Sequence, residues 1–250
     1  MIIRGIIFDV NGTLIDILTD EGDERIYRAI GHFLSYQGIY LHRGEVRDLY
    51  EQILDKQRRD SPEVHYEFDA VQAWREFLDL SPDATAALPP DKLAQMPLFL
   101  AEMYRGIARR RLRLYPEVRD VLDEMHSRFK LAVLSDAQSA WARPELRAVG
   151  IDSYFDPIVI SGDYGFRKPD RRLFEITLAG MRLAAEEVVF VGDDMYRDIF
   201  GAGQVGMKTV FFAPEGVIRR MDGVDPDYII YRFAELPNAI SLLGHQRQKE

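Results

Sequence analysis

No cysteine occurs among the 250 residues. Disulfides and thiolate metal sites are therefore excluded, and the absence fits a reducing compartment, which makes a cytoplasmic protein the expectation. Positive charge is in deficit: 32 Lys and Arg stand against 41 Asp and Glu, a formal net charge of −9. That balance argues against nonspecific nucleic-acid binding, which needs a basic surface. The apolar run from Ile2 is far too short to span a bilayer, so no membrane association is expected. The N-terminus also lacks the basic-then-apolar order of a secretory leader. Internal repeats and low-complexity segments are missing. What remains is an ordinary globular composition, 47% apolar. It is enough for one large or two modest domains, expected as a monomer or homodimer.

The stretch that organises the chain is Arg4-Gly5-Ile6-Ile7-Phe8-Asp9-Val10-Asn11-Gly12-Thr13-Leu14. A continuous apolar run closed by a turn signal reads as a fully buried strand of a parallel sheet. Open α/β sheets place their chemistry just beyond the carboxyl ends of such strands. Asp9 stands at that end, where its carboxylate can be aimed into a crevice and serve as a nucleophile. Its plainer alternative is a turn or capping aspartate. Gly12 and Thr13 fit a tight turn whose backbone N–H groups face an anion.

Helical periodicity follows over 23–37, 45–59, 68–80 and 93–112, with 81–90 reading as a Pro- and Ala-rich loop. No strand signal is read between Thr19 and Leu112. The α/β alternation then resumes. Strands are expected at 130–134, 157–160, 187–191, 208–212 and 228–230, with helices at 116–126, 140–149, 169–181, 196–204 and 233–243. The polar tail from His245 reads as frayed. Alternating strands and helices predict a doubly wound parallel, Rossmann-like sheet. The helical block at 19–112 reads as an insertion over the strands' carboxyl ends, leaving residues 1–18 and 113–250 as the core.

Three further places carry chemistry. Ser135 ends a core strand and can donate a hydrogen bond, with Asp136 beside it. Lys168, before Pro169 at a helix start, can supply positive charge to an anion near Asp9. In Gly192-Asp193-Asp194-Met195-Tyr196-Arg197-Asp198, clustered acids offer only acceptor oxygens. Unneutralised, they repel, and Mg²⁺ prefers oxygen ligands. A helix N-terminus decorated with acids is the alternative.

Together these motifs resemble the haloacid dehalogenase-like hydrolase superfamily, whose first motif is usually Asp-x-Asp-Gly-Thr. The resemblance covers nearly all of the core and is only architectural in the helical insertion, which is similar to the family's substrate-closing cap. It implies Asp9 as nucleophile and Thr13, Ser135, Asp136 and Lys168 as phosphate-binding groups. It implies Mg²⁺ held by Asp9, the Asn11 carbonyl and Asp193, with Asp194 and Asp198 as supporting or alternative ligands. The substrate implied is a phosphorylated small molecule. A metal-free dehalogenase fits the acidic fourth motif less well.

Asn11 departs from the pattern. The family's second aspartate protonates the leaving group and then activates water; asparagine cannot exchange a proton. Four readings stay open. The protein is a slow phosphatase, or takes its acid from the insertion at His65 or Glu67, or binds phosphate silently, or cleaves a C–halogen or C–P bond. Cleavage of a C–P bond would need a reactive lysine in the insertion, such as Lys56 or, more weakly, Lys92. His65 and Glu67 read more simply as surface residues. Asn11-Gly12 is also a dipeptide prone to deamidation, and an engineered Asp-to-Asn exchange would give the same sequence. The run Arg109-Arg110-Arg111-Leu112-Arg113 reads as a solvated helix face near a hinge, or as a guide for anionic substrates. His32, His42, His126 and His245 lack metal-ligand spacing. Trp74 and Trp141 read as packing residues.

Overall fold

A computed structural model describes residues 2–80, 85–86, 88–214, 216 and 220–245. Its centre is strand β1 (Gly5–Phe8), and every residue of it is buried. Burial on both faces requires apolar side chains at consecutive positions, and they divide cleanly. Ile6 and Phe8 enter one core cluster, and Ile7 enters another on the opposite face. Among the described residues β1 lies within a six-stranded sheet with β4 (Lys130–Ser135), β5 (Ile158–Ile160), β6 (Val188–Gly192), β7 (Lys208–Phe212) and β8 (Tyr228–Ile230). The order is β5-β4-β1-β6-β7-β8, and all pairings are parallel. The register sets Phe8 beside Val133 and Val191, so β1, β4 and β6 deliver Asp9, Ser135 and Asp193 to one end of the sheet.

Helices cover both faces. α5 (Val118–His126), α6 (Ser139–Ala148) and α9 (Leu236–His245) pack on the Ile6–Phe8 side. α7 (Arg171–Met181) and α8 (Gly201–Gln204) pack on the Ile7 side. Each fully buried Phe or Ile of these layers stabilises the fold by roughly 1.5–3 kcal/mol before entropy is counted. The doubly wound parallel sheet expected from the alternation is present.

Between β2 (Ile15–Thr19) and β3 (Arg109–Leu114) lie α1 (Glu24–Tyr36), α2 (Arg43–Asp60), α3 (Ala70–Asp79) and α4 (Pro90–Ala108). They close over their own cluster, in which Tyr50 and Trp74 stack with ring centroids 4.3 Å apart. Trp141 of α6 joins that cluster, and its indole N–H donates to Ala101 O at 2.8 Å. Asp23, His42 and Asp69 cap α1, α2 and α3, each accepting a backbone N–H of the first turn. Most of the expected 81–90 loop and the tail beyond His245 lie outside the described residues. No described helix is long and apolar enough to cross a membrane.

Two expectations are corrected here. α4 stops at Ala108, and Arg109–Leu114 is a strand antiparallel to β2. The arginine run is therefore no helix face. Leu112, Leu114 and Ile17 alternate onto the core cluster, while Arg111 and Arg113 point outward and both bind Asp16. That period of two is a strand signal, and it overrode the helical reading. The second correction concerns 196–204. Met195–Phe200 is a π-helical turn, and the α-helix proper begins at Gly201.

Candidate active site

Asp9 caps the buried end of β1 and is only 6% exposed. Its N–H donates to Val191 O at 2.9 Å, which fixes the residue against β6. The chain then turns sharply through Gly12, at φ 94°. A Cβ there would sit 2.4 Å from Asp193 Oδ2, so the close approach of the two strand ends needs glycine for space as well as for conformation. Thr13 Oγ1 donates to Asp193 Oδ1 at 2.9 Å and tethers the turn to β6. The Gly12 N–H is spent within the turn, donating to Ile15 O at 2.9 Å, and does not face an anion as expected.

Past β6 the wide π-helical turn brings Asp198 back beneath residues 193 and 194. Asp198 Oδ2 accepts from the N–H groups of Asp193 and Asp194 at 3.1 and 3.0 Å. Gly192 leaves the room for this, since a Cβ there would lie 2.4 Å from Asp198 Oδ2. Lys168 lies between the acids, 3% exposed. Its ammonium donates to Asp9 Oδ1 at 2.6 Å and to Asp198 Oδ1 at 2.7 Å. The Lys168 backbone N–H donates to Asp136 Oδ1 at 2.9 Å, so that acid holds the lysine's main chain.

Carboxylate oxygens of Asp9, Asp193 and Asp198 lie within 4.8 Å of one another. Three carboxylates thus crowd one ammonium, with Asp9, Asp198 and Lys168 buried and Asp193 half-buried. Burial, and then the charges of Asp9 and Asp198, push the Asp193 carboxyl up to about 7. Burial also raises Asp198, against the pull of Lys168. For Lys168, burial alone would lower the pKa, but the charges of Asp198, Asp9 and Asp136 outweigh it and hold the ammonium above its ordinary value. The site carries an excess of negative charge that a cation would relieve. Beside it, Asn11 Oδ1, Ser135 Oγ and Asp136 Oδ2 are buried without hydrogen-bond partners. Buried polar atoms are nearly always satisfied, so this group points to a ligand.

Asp194, expected among the metal ligands, does not join the cluster. Its Oδ1 accepts from Tyr196 N and Arg197 N at 2.9 and 2.8 Å, and its Oδ2 faces the Arg197 guanidinium at 2.9 Å. It caps the helical turn, and Asp198 occupies the place beside Asp193. Lys56 is exposed and paired with Asp60, and Lys92 is exposed at the start of α4. His65 is half-buried, its ring 6.1 Å from that of Tyr196. Glu67 is no surface residue: it is 5% exposed and accepts a hydrogen bond from Ser161 Oγ at 2.8 Å.

A family model described as haloacid dehalogenase-like hydrolase matches residues 3–206. The chain belongs to that family. This haloacid dehalogenase-like hydrolase is 25% identical over 243 residues to the N-acylneuraminate-9-phosphatase of Homo sapiens, covering 94% of this chain and 92% of that protein. It is 30% identical over 118 residues to the glyceraldehyde 3-phosphate phosphatase of Pyrococcus furiosus, covering 47% of this chain and 49% of that one. The chain spans a little under half the length of this and two further curated phosphatases that it matches. The solved 2-haloacid dehalogenase from Pseudomonas syringae superposes with a TM-score of 0.72 at 23% identity, covering 96% of this chain and 99% of that one, and shares the fold.

Proposed function

We propose that this hydrolase cleaves the phosphoester of a phosphorylated small molecule through a phosphoenzyme on Asp9, with Mg²⁺ as cofactor. The observation that carries the reading is the convergence of three acids and one lysine beside Asn11 Oδ1 and Ser135 Oγ, which are buried without hydrogen-bond partners. The donor set suits Mg²⁺, a hard cation that prefers oxygen. Asp9, Asp193 and the Asn11 carbonyl would hold it. Asp198 is already engaged by Lys168 and two backbone N–H groups and so braces the site. Bound there, Mg²⁺ supplies positive charge against the carboxylates and the phosphoryl oxygens.

Asp9 Oδ1 is bound by Lys168, which leaves Oδ2 as the attacking atom. It forms the bond to phosphorus as the ester P–O bond breaks. The Ser135 hydroxyl, partnerless and at the end of β4, donates to a phosphoryl oxygen. The Lys168 ammonium balances the charge gathered at Asp9. Asn11 has no proton to give, so the departing oxygen takes one from solvent, and water then cleaves the aspartyl phosphate without a carboxylate base. General acid–base help is typically worth about 10²–10⁴ in rate, so slow turnover with a preference for good leaving groups follows. In this reading the described residues of 19–112 form the cap over this site, and those of 1–18 and 113–250 form the core.

The test is phosphate release from acetyl phosphate and p-nitrophenyl phosphate with and without Mg²⁺, on protein whose residue 11 has been checked by mass spectrometry. Mg²⁺-dependent release that disappears in Asp9→Ala is the expected result. Binding of inorganic phosphate without turnover would instead mark a silent phosphate-binding protein. A 2-haloacid that yields halide without metal would make the chain a dehalogenase, a reaction for which Asn11 is no handicap.

A further inference from the structure

The α2–α3 loop of the helical insertion meets the core along one short line. Glu67 N donates to Gly165 O at 3.0 Å, and Arg167 N donates to His65 O at 2.8 Å, so Tyr66 and Phe166 pair as an antiparallel bridge. Arg167 Nε adds a bond to Tyr66 O at 2.9 Å. Behind the bridge lies the Glu67 carboxylate. Its Oε2 accepts from Ser161 Oγ at 2.8 Å; its Oε1 faces Gln138 Nε2 at 3.5 Å and the Arg167 guanidinium at 3.6 Å. Ser161 Oγ in turn accepts from Ala137 N at 3.0 Å. Gln138 Oε1 accepts from Ala70 N, the first residue of α3, at 2.8 Å. Segments 65–70, 137–138 and 161–167 are therefore knotted around one buried acid. The residue that follows the knot is Lys168.

We propose that Glu67 is a positioning residue: its carboxylate pins the insertion to the Ser161–Arg167 segment and thereby sets Lys168 against Asp9. A buried carboxylate costs several kcal/mol of desolvation unless it is fully partnered, so its partners are held together as a unit. With Glu67 in place the 161–167 backbone is bonded on the insertion side at Gly165 and Arg167. The Lys168 N–H is bonded on the core side to Asp136. The lysine main chain is fixed from both directions. Withdrawal of the insertion would remove one of them. Both oxygens of Glu67 are engaged within the knot. The proposal rests on the reading of Lys168 as the charge partner of the Asp9 phosphoenzyme, but the knot can be tested without turnover.

Amide hydrogen exchange is measured on the full chain for wild type, Glu67→Ala, Ser161→Ala and the double variant. Exchange at residues 67, 167 and 168 is expected to rise together in each single variant, while β1 and β6 amides stay protected. The double variant should be no worse than the worse single one, because the two side chains act as one unit. On acetyl phosphate, kcat should fall by up to about 10²-fold with KM changed less, as expected for a displaced reacting group. Glu67→Gln, which keeps the shape and loses the charge, should give an intermediate loss, and it stands in for the alanine variant if that one does not fold. An unchanged Lys168 amide beside faster exchange at 67 and 167 would overturn the coupling. Wild-type kcat in a variant whose knot has opened would do the same. No acetyl phosphate turnover in wild type would sink the phosphatase reading alone, and the exchange data would still decide the knot.

Discussion

The acids around Asp9 and the acid at Glu145 are both buried, yet their electrostatic balance is opposite. Glu145 of α6 faces Arg105 of α4 through two bonds, at 2.8 and 3.3 Å, and Arg109 lies 3.8 Å away. Its charge is matched and its oxygens are occupied. Asp9 and Asp198 share one lysine, Asp193 beside them has only the Thr13 hydroxyl, and Asn11 Oδ1 and Ser135 Oγ are without hydrogen-bond partners. A matched pair needs nothing further and serves to join the insertion to the core. The unmatched cluster can be completed only by something that arrives. Burial alone does not mark a functional acid; the remainder after pairing does.

The contrast breaks hardest at Asp9. Asp9→Ala removes the attacking oxygen, and acetyl phosphate turnover should fall by about 10⁶-fold, to background, in a phosphate-release assay. Asn11→Asp works in the other direction: restoring the proton donor should raise kcat by roughly 10²–10⁴, most for poor leaving groups. An unchanged kcat would mean that the missing acid does not limit this site. At the matched pair the effect should be on stability. Arg105→Ala strands Glu145 and should cost about 3 kcal/mol in urea unfolding, the low end for a broken buried pair because Arg109 stays close. Turnover per folded molecule should survive.

Mg²⁺ sharpens the same distinction. At 100 times its Kd it should add about 2.7 kcal/mol to the unfolding free energy. The gain should vanish in Asp193→Asn and persist in Arg105→Ala. The smallest effect is a pH slope at Glu67. Burial raises this carboxyl, with Arg167 and Ser161 pulling it back and Asp136 adding to the rise. The folded state then keeps a proton that the unfolded chain has released. Stability therefore falls as pH rises from the ordinary carboxylate range through the raised value, and levels above it. Thermal melts across that range should show a flatter profile for Glu67→Gln than for wild type.

Much of the core could be read from the sequence because its signals are local. The apolar run before Asp9, the run into Gly192-Asp193 and the Lys168-Pro169 pair each sit beside the strand or helix end that aims them. Where contacts come from far along the chain, the reading failed. Glu67 looks like any loop acid, and what buries it is Ser161 and Gln138, 94 and 71 residues away. Asp194 caps the turn and Asp198 lies beside Asp193; the turn between them is π-helical, and helical spacing does not anticipate that extra residue. The β2–β3 pairing left a signal that the arginines concealed: Arg111-Leu112-Arg113-Leu114 alternates with a period of two.

That pairing has a mechanical meaning. Both chain crossings between the helical block and the sheet run through a single ribbon, Ile15–Thr19 against Arg109–Leu114, zipped along its length. The block is attached as a page is to its spine. The ribbon fixes where the block leaves the sheet and where it returns, and the strap from His65 to Glu67 and the Arg105–Glu145 pair hold the block at two further places.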